Sequence, residues 1–239
     1  MIEIRSGVRP TRPDFRIKEG QDTSLAIAVV GDESGSMFPE RAHYAAVAML
    51  AIADAFETMG SPVMCCGVRD RRGGNWGLVE GNFVTPNGRD MSFHRRCPVT
   101  YDLFKDWDES LRHKKVVARF AGYRATGGTP LSDGVAFALQ SIGERPERHR
   151  VIVVLTDGVP NEKAVMRRLV RQAHEAGIWV IGVGIGSGTE QVRTLYPDKN
   201  VVVNTLRDLP RELLAQIESL VFPKRGGSRA ALDSQIIAR

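Results

Sequence analysis

The sequence predicts an α/β fold in which a mostly parallel sheet carries helices on both faces. Short β-branched apolar runs alternate with longer amphipathic stretches, which is typical of parallel strands joined by crossover helices. The most continuous apolar run, at 151–155, suits a central strand that is covered on both faces. A length of 239 residues with 42% hydrophobic residues suits one compact domain with a sizeable core.

The first half of the chain contains two of the predicted parallel strands. We expect these strands at 25–30 and 62–68, separated by a helix at 39–59 whose small apolar residues lie nearly all round and therefore predict burial. Glycine-rich turn signals predict a hairpin and a long loop within 69–100. A helix is expected next, at 101–120.

The second half continues the alternation of strands and helices. A helix begins at Pro130, which takes the first helical position, with Thr129 as its N-cap, and runs toward 142. After the central strand, the predicted elements are a helix at 161–176, a strand at 178–183, a short helix at 189–195, an edge strand at 201–203 and a last helix at 209–221. This order continues the pattern of a doubly wound sheet.

The chain carries a formal net charge of +5 and has a pI near 9.3, mostly because of scattered arginines. Such charges either form a solvated surface or attract an acidic partner by long-range forces. No basic run interleaved with aromatic residues occurs, so the pattern does not favour a nucleic-acid partner.

The cysteines and the apolar runs indicate in which cellular compartment the protein is expected. Three cysteines, two of them adjacent at Cys65 and Cys66, cannot form a disulfide framework and lack the paired spacing of a zinc site. No stretch approaches the roughly 20 apolar residues of a membrane span, and residues 1–20 alternate charges with prolines where a signal peptide would be apolar. We therefore expect a soluble, cytoplasmic protein with no membrane partner.

Oxygen-bearing side chains follow three of the predicted elements. They are Asp32, Ser34 and Ser36 after the first strand, Thr129 after a Gly-Gly break, and Asp157 after the central strand. Loops from the carboxyl ends of adjacent parallel strands meet at the topological switch point, so these side chains can converge. Hard cations such as Mg²⁺ prefer oxygen ligands. The sequence therefore predicts a site for one divalent cation.

Each hydroxyl in this set also has a purely local explanation. Thr129 could serve only as a helix cap, and Ser34 and Ser36 could form only a polar turn. The carboxylates favour the metal, because Asp32 and Asp157 end apolar strands and would repel each other at close range unless a cation or hydrogen-bond donors lay between them.

Other chemistries each lack a required residue. Ser34 stands where a phosphotransferase of the haloacid dehalogenase kind needs a second Asp, and the local spacing differs from the G-x-S-x-G elbow of serine hydrolases. No G-x-x-x-x-G-K-[ST] phosphate loop occurs, and the five histidines form no metal-binding array. These patterns favour binding over catalysis.

The order of the three motifs, DxSxS at 32–36, GGTPL at 127–131 and LTDGxPN at 155–161, resembles the metal-ion-dependent adhesion site (MIDAS) of von Willebrand factor A (VWA) domains. The resemblance runs from about 25 to 221. It implies a Rossmann-like sheet of six strands with one antiparallel edge strand. It also implies that hydroxyls of Ser34, Ser36 and Thr129 bind the metal, while Asp32 and Asp157 act directly or through waters. The expected cation is Mg²⁺, with Mn²⁺ or Ca²⁺ as alternatives.

The details are similar to prokaryotic intracellular VWA proteins of the cobaltochelatase and nitric-oxide-reductase-activation families, which work beside MoxR-type AAA+ ATPases. This resemblance implies a non-catalytic adaptor in which an Asp or Glu of a protein partner completes the metal shell. The alternative is a Mg²⁺-dependent hydrolase or phosphatase of a Rossmann-like fold. The predicted domain spans 25–222, between an N-terminal extension at 1–24 and a C-terminal tail at 223–239.

The segment at 69–100 is expected to lie at the rim of the metal site, because the second strand should end beside the first. It carries several arginines, among them Arg71 and Arg72, together with Trp76, which would suit a carboxylate-bearing partner. The alternative is an insertion whose aromatic residues pack on the domain.

Overall fold

In the computed structural model, a six-stranded sheet forms the centre of the fold. In chain order the elements are β1 (Leu25–Asp32), α1 (Glu40–Thr58), β2 (Val63–Asp70), β3 (Val79–Val84), β4 (Asp90–Arg95), β5 (Val99–Lys105), α2 (Lys114–Phe120), α3 (Leu131–Gly143), β6 (His149–Thr156), α4 (Lys163–Glu175), β7 (Ile178–Ile185), α5 (Val192–Leu195) and β8 (Asn200–Val203). The sheet order is β5-β2-β1-β6-β7-β8. Its pairings are parallel except that of β2 with β5, so the predicted fold with one antiparallel edge strand is confirmed.

The structure describes most of the predicted domain. It covers residues 24–38, 40–70, 79–84, 90–95, 99–158, 160–186, 189–197, 199–203, 213 and 215–217. Residues 1–23, the tail at 223–239 and most of the helix expected at 209–221 lie outside the described residues. Within these ranges, no helix combines the length and apolar character that crossing a membrane requires.

The side chains of β1 divide between two hydrophobic layers, because successive residues of a strand point to opposite faces of the sheet. Ile27 and Val29 pack in the layer covered by α1 and α2. Ala26, Ala28 and Val30 pack in the layer covered by α3 and α4. Burial on both faces explains why β1 is a continuous apolar run.

The helix predicted at 101–120 is wrong over most of its length. The chain instead forms β5, a turn region and the short α2. Phe104 is buried and stacks on Phe120 at 5.5 Å between ring centroids, whereas its neighbour Leu103 is 42% exposed. The spacing of apolar residues here suits either structure, and the unpaired edge of β2 decides in favour of a strand because it offers backbone hydrogen bonds.

The hairpin predicted within 69–100 is confirmed, since β3 and β4 form a separate antiparallel sheet of two strands. Residues 71–78, which include the basic and aromatic side chains expected at the rim, lie outside the described residues. β1 and β2 each run two residues further than predicted, so Asp32 and Asp70 are the last residues of their strands.

Candidate metal centre

Two aspartates end neighbouring strands where the connections of the sheet diverge. β2 lies on one side of β1 and β6 on the other, so the crevice between β1 and β6 is the topological switch point. Asp32 is the last residue of β1, and Asp157 directly follows β6. The two residues are 0% and 6% exposed, respectively. The structure thus brings both predicted carboxylates to one buried edge.

The Asp32 carboxylate is held by two donors, one from the loop after β1 and one from the end of β6. Its Oδ1 accepts the backbone N–H of Ser34 at 2.9 Å, and its Oδ2 accepts the Thr156 hydroxyl at 2.7 Å. Burial raises the pKa of Asp32 to about 6, although the hydrogen bonds from Ser34 and Thr156 lower it, and the charge of Asp157 raises it further. The site therefore penalises uncompensated negative charge, which a bound cation would relieve.

Two serine hydroxyls lie beside the aspartates and reach Asp157. Ser34 Oγ lies 3.1 Å from Ser36 Oγ, and the Ser36 hydroxyl donates to Asp157 Oδ1 at 2.9 Å. In an octahedral Mg²⁺ shell with oxygens at about 2.1 Å, neighbouring ligand oxygens are about 3 Å apart. The observed separations match that spacing, so these oxygens can share one small hard cation.

The loop that carries Thr129 is joined directly to the loop after β1. The backbone N–H of Gly35 donates to the Gly127 carbonyl at 3.0 Å, and that of Thr126 donates to the Glu33 carbonyl at 2.7 Å. A Cβ at Gly35 would lie 3.2 Å from the same Gly127 carbonyl oxygen, so the close approach of the two loops favours glycine there.

Thr129 is joined to the third motif through its backbone. Its carbonyl accepts the backbone N–H of Asn161 at 2.9 Å, and its own N–H donates to Asn161 Oδ1 at 3.3 Å. The predicted N-cap role is wrong, because α3 begins one residue later with Pro130 as its N-cap. No hydrogen bond joins the Thr129 hydroxyl to the other four predicted ligands, all of which lie in the described ranges.

Arg41 supplies a cation at this edge that the sequence pattern did not predict. Its guanidinium donates to Asp157 Oδ2 at 2.7 Å from the first turn of α1. No local pattern could have found this pair, because the two residues are 116 positions apart in the chain.

A second pair of acids lies next to the aspartates, toward β2. Glu33 is buried, and its Oε1 accepts the Arg124 backbone N–H at 2.8 Å. Asp70 is also buried, and its Oδ2 accepts the Gly128 backbone N–H at 3.0 Å. Burial, with a smaller contribution from the charge of Asp102, raises the pKa of Glu33 to about 8. Both acids hold the loop between α2 and α3.

The comparison with protein families addresses this same part of the chain. Residues 104–216 match the family model of the von Willebrand factor type A domain. That range contains the second and third motifs, and β1, with the first motif, pairs with β6 in the same sheet. The chain has the VWA fold, and residues 104–216 match the VWA family. None of the curated proteins compared with it matches.

The fold of the chain is also similar to that of several solved structures. The pilus adhesin SpaC from Lactobacillus rhamnosus GG, in an open conformation, has a TM-score of 0.55 and 14% identity, covering 85% of this chain and 30% of the adhesin. Proximal thread matrix protein 1 from the mussel byssus, with a zinc-occupied MIDAS motif, has a TM-score of 0.57 and 16% identity, covering 83% of this chain and 46% of that protein. The manganese-loaded TRAP protein of Plasmodium vivax has a TM-score of 0.55 and 12% identity, and the match covers 84% of this chain and 74% of the TRAP chain.

These identities show a shared fold, and this chain spans less than half the length of the first two proteins. The donor chemistry of the VWA domain fits a hard divalent cation, because its carboxylate and hydroxyl oxygens lie within hydrogen-bond distance of one another at a buried edge. The described residues contain no group of three or more His, Cys, Asp or Glu side chains that could hold a metal. A cation here would therefore depend on the hydroxyl oxygens.

Three further residues contribute to the site and were not among the predicted ligands, although the sequence contained a signal for each of them. Thr156 and Asn161 lie within the third motif, and the first hydrogen-bonds Asp32 while the second holds Thr129. Asp70 ends β2 by the same rule that selected Asp32 at the end of β1.

Proposed function

We propose that this VWA domain is a non-catalytic adaptor that binds a protein partner through one divalent cation held by Asp32, Ser34, Ser36, Thr129 and Asp157. The observation that carries the proposal is the run of side-chain oxygens from Ser34 through Ser36 to Asp157, with separations of 3.1 and 2.9 Å, beside an Asp32 carboxylate that accepts the backbone N–H of Ser34. A partner's Asp or Glu would supply a further oxygen to the same cation.

The side chains of the site suit binding better than catalysis. The hydrogen-bond donors to Asp32 and Asp157 are a backbone N–H, two hydroxyls and a guanidinium. No imidazole is among these described partners, and each carboxylate oxygen of Asp32 and Asp157 already accepts a hydrogen bond, which makes either carboxylate a poor proton acceptor for a water molecule. A chain that releases phosphate from p-nitrophenyl phosphate with Mg²⁺ or Mn²⁺, and loses that activity with Asp32→Ala, would instead support the hydrolase alternative.

We propose Mg²⁺ as the cation, because the donors are all oxygen and Mg²⁺ keeps several waters that a partner carboxylate can replace. Structural relatives hold zinc or manganese, which supports a divalent ion at this position. Mn²⁺ and Ca²⁺ remain alternatives to be compared in the same titrations.

We also propose that the partner belongs to a cytoplasmic AAA+ ATPase assembly of the MoxR type, as in cobaltochelatase-like systems. The support is the resemblance of the three motifs to those intracellular VWA proteins and a net charge of +5, which favours an acidic partner surface. The adhesin among the structural relatives is consistent with protein recognition at this fold.

The proposal is tested with the full chain immobilised and a purified MoxR-type ATPase as probe. Retention of the ATPase should require Mg²⁺, and EDTA and Thr129→Ala should weaken it to a similar extent. Thr194→Ala, at an exposed position of α5, is the matched control and should retain the ATPase. Retention that is indifferent to both EDTA and Thr129→Ala would show that another surface is used.

A further inference from the structure

A groove of about 890 Å³ opens beside the metal centre, between α1 and the loop that follows α2. Gly35, Thr126 and Gly127 line it, and these residues belong to the two loops that carry the predicted ligands. Gly35 lies between Ser34 and Ser36 and donates its N–H to the Gly127 carbonyl. The groove is therefore continuous with the edge at which a partner would place its carboxylate.

Several of the side chains that line the groove are apolar. They include Ala42 and Ala46 of α1, together with Phe120 and Ala121 at the end of α2. Phe38 also lines the groove and is 73% exposed, the largest value among the exposed large apolar side chains that the structure describes. An aromatic side chain left in water beside an apolar groove is typical of a binding hot spot, because covering both removes apolar surface from water.

The charge of the groove selects among apolar ligands. Arg124 is exposed in its lining, and none of the lining residues, all of them described, is acidic. The backbone N–H of Arg124 is held by the Glu33 carboxylate, so the base of this side chain is fixed beside the loop after β1. An apolar segment that also carries negative charge matches this combination.

We propose that the groove binds a large apolar side chain of the same partner segment that offers a carboxylate to the metal centre. The recognised sequence is then an acidic residue with a Leu, Met or Phe a few positions away. The inference rests on the proposed function and deepens it by naming the chemistry of the partner segment. Metal coordination supplies one anchor, and burial of Phe38 with the apolar side chain supplies the second.

The test uses random peptides displayed on phage and selected on the full chain with Mg²⁺. Selected peptides should combine an Asp or Glu with a nearby large apolar residue. Their affinity, measured by fluorescence anisotropy with the synthetic peptides, should fall by about tenfold or more in Ala46→Glu. Ala121→Glu, at an exposed position on the opposite wall, should give the same loss without burying the new charge in the core.

Val47→Glu is the matched control, because it adds the same charge to the next residue of α1 at an exposed position outside the groove lining. It should leave peptide affinity within about twofold. Metal affinity should be unchanged in all three variants, which separates a groove effect from damage to the metal centre.

The outcomes distinguish the two proposals. Metal-dependent peptides that bind Ala46→Glu and Ala121→Glu as tightly as the parent overturn the groove assignment and leave the proposed function standing. Peptides that need the groove but ignore EDTA and Asp32→Ala overturn the shared-segment proposal together with the metal-dependent function. A selection that yields only acidic peptides without an apolar residue also overturns the groove assignment.

Discussion

Two pairs of buried acids lie at the same edge of the sheet, and they are satisfied in different ways. In the central pair, Asp32 and Asp157, all four carboxylate oxygens accept hydrogen bonds, three of them from side chains. In the lateral pair, Glu33 and Asp70, one oxygen of each accepts a backbone N–H and the other has no hydrogen-bond partner in the described part of the chain.

The difference shows what each pair can do. A hydroxyl donor can rotate and present its lone pairs to a cation, and a guanidinium can withdraw, so three of the four donors to the central pair are exchangeable. A backbone N–H cannot become a ligand, so the lateral pair fixes the loop that carries Thr129. Buried carboxylates at one sheet edge therefore suit metal binding in the central pair and loop positioning in the lateral pair.

The largest expected effect is on metal binding by the central pair. Calorimetric titration of the chain should show one Mg²⁺ or Mn²⁺ site, and Asp32→Ala should weaken it by about a hundredfold or more, because the variant removes a charge that faces the cation. Circular dichroism should show a retained fold. Asp70→Asn is the matched control in the lateral pair and should keep the affinity within a few fold. Equal losses in the two variants would remove the distinction between the pairs.

The second effect concerns the pH dependence of stability in EDTA. The pKa of Glu33 is about 8 in the folded chain against an ordinary value of 4.5, so its stabilising contribution is complete below about 4.5 and is lost as pH rises toward 8. Glu33→Gln has the shape of the protonated glutamate but cannot ionise, so it should remove this decline. Its free energy of unfolding at pH 8 should exceed that of the parent by on the order of 3 kcal/mol.

Urea unfolding at pH 4.5, 6 and 8 measures this difference. Glu144→Gln, at an exposed position, is the control and should parallel the parent curve. A Glu33→Gln variant that is less stable than the parent at pH 8 would show that the carboxylate is ionised and needed in the fold.

A smaller effect on stability is expected when a methyl group is added at Gly127, next to the Asp70 carboxylate of the lateral pair. Gly127 has φ +71, and a Cβ there would overlap the Asp70 carboxylate. Gly127→Ala should lower the free energy of unfolding by about 1–3 kcal/mol, because alanine must adopt a left-handed conformation and displace that acid. Gly158→Ala meets no atom within 4 Å and should cost much less in the same urea experiment. Similar costs for both would contradict both the backbone strain at Gly127 and its contact with Asp70.

The smallest expected effect tests the exchangeable guanidinium at the central pair. Arg41 pairs with the carboxylate that a cation would need, so Arg41→Ala should tighten Mg²⁺ binding by about threefold to tenfold in calorimetry. Arg148→Ala removes the same charge from an exposed position next to the opposite end of β6 and should leave the affinity unchanged. Weaker binding in Arg41→Ala would mean that the guanidinium orders Asp157 for the metal.

The sequence alone determined the architecture and the positions that could carry a metal. Strand and helix periodicity are local properties, so β1, β2, β6 and β7 were predicted with only their ends displaced. The carboxyl ends of parallel strands share an edge, and this rule by itself was enough to predict that Asp32 and Asp157 lie together.

Only the tertiary structure decided the pairings that depend on residues far apart in the chain. β5 is a strand because the edge of β2 accepts it, and the backbone of Thr129 is joined to Asn161, which lies 32 positions away in the chain. The Arg41 pair with Asp157 spans 116 positions, and the Glu33 bond to the Arg124 backbone spans 91. Side-chain type and spacing fix what a residue can offer, whereas its partner is set by the packing of distant elements, which no local pattern encodes.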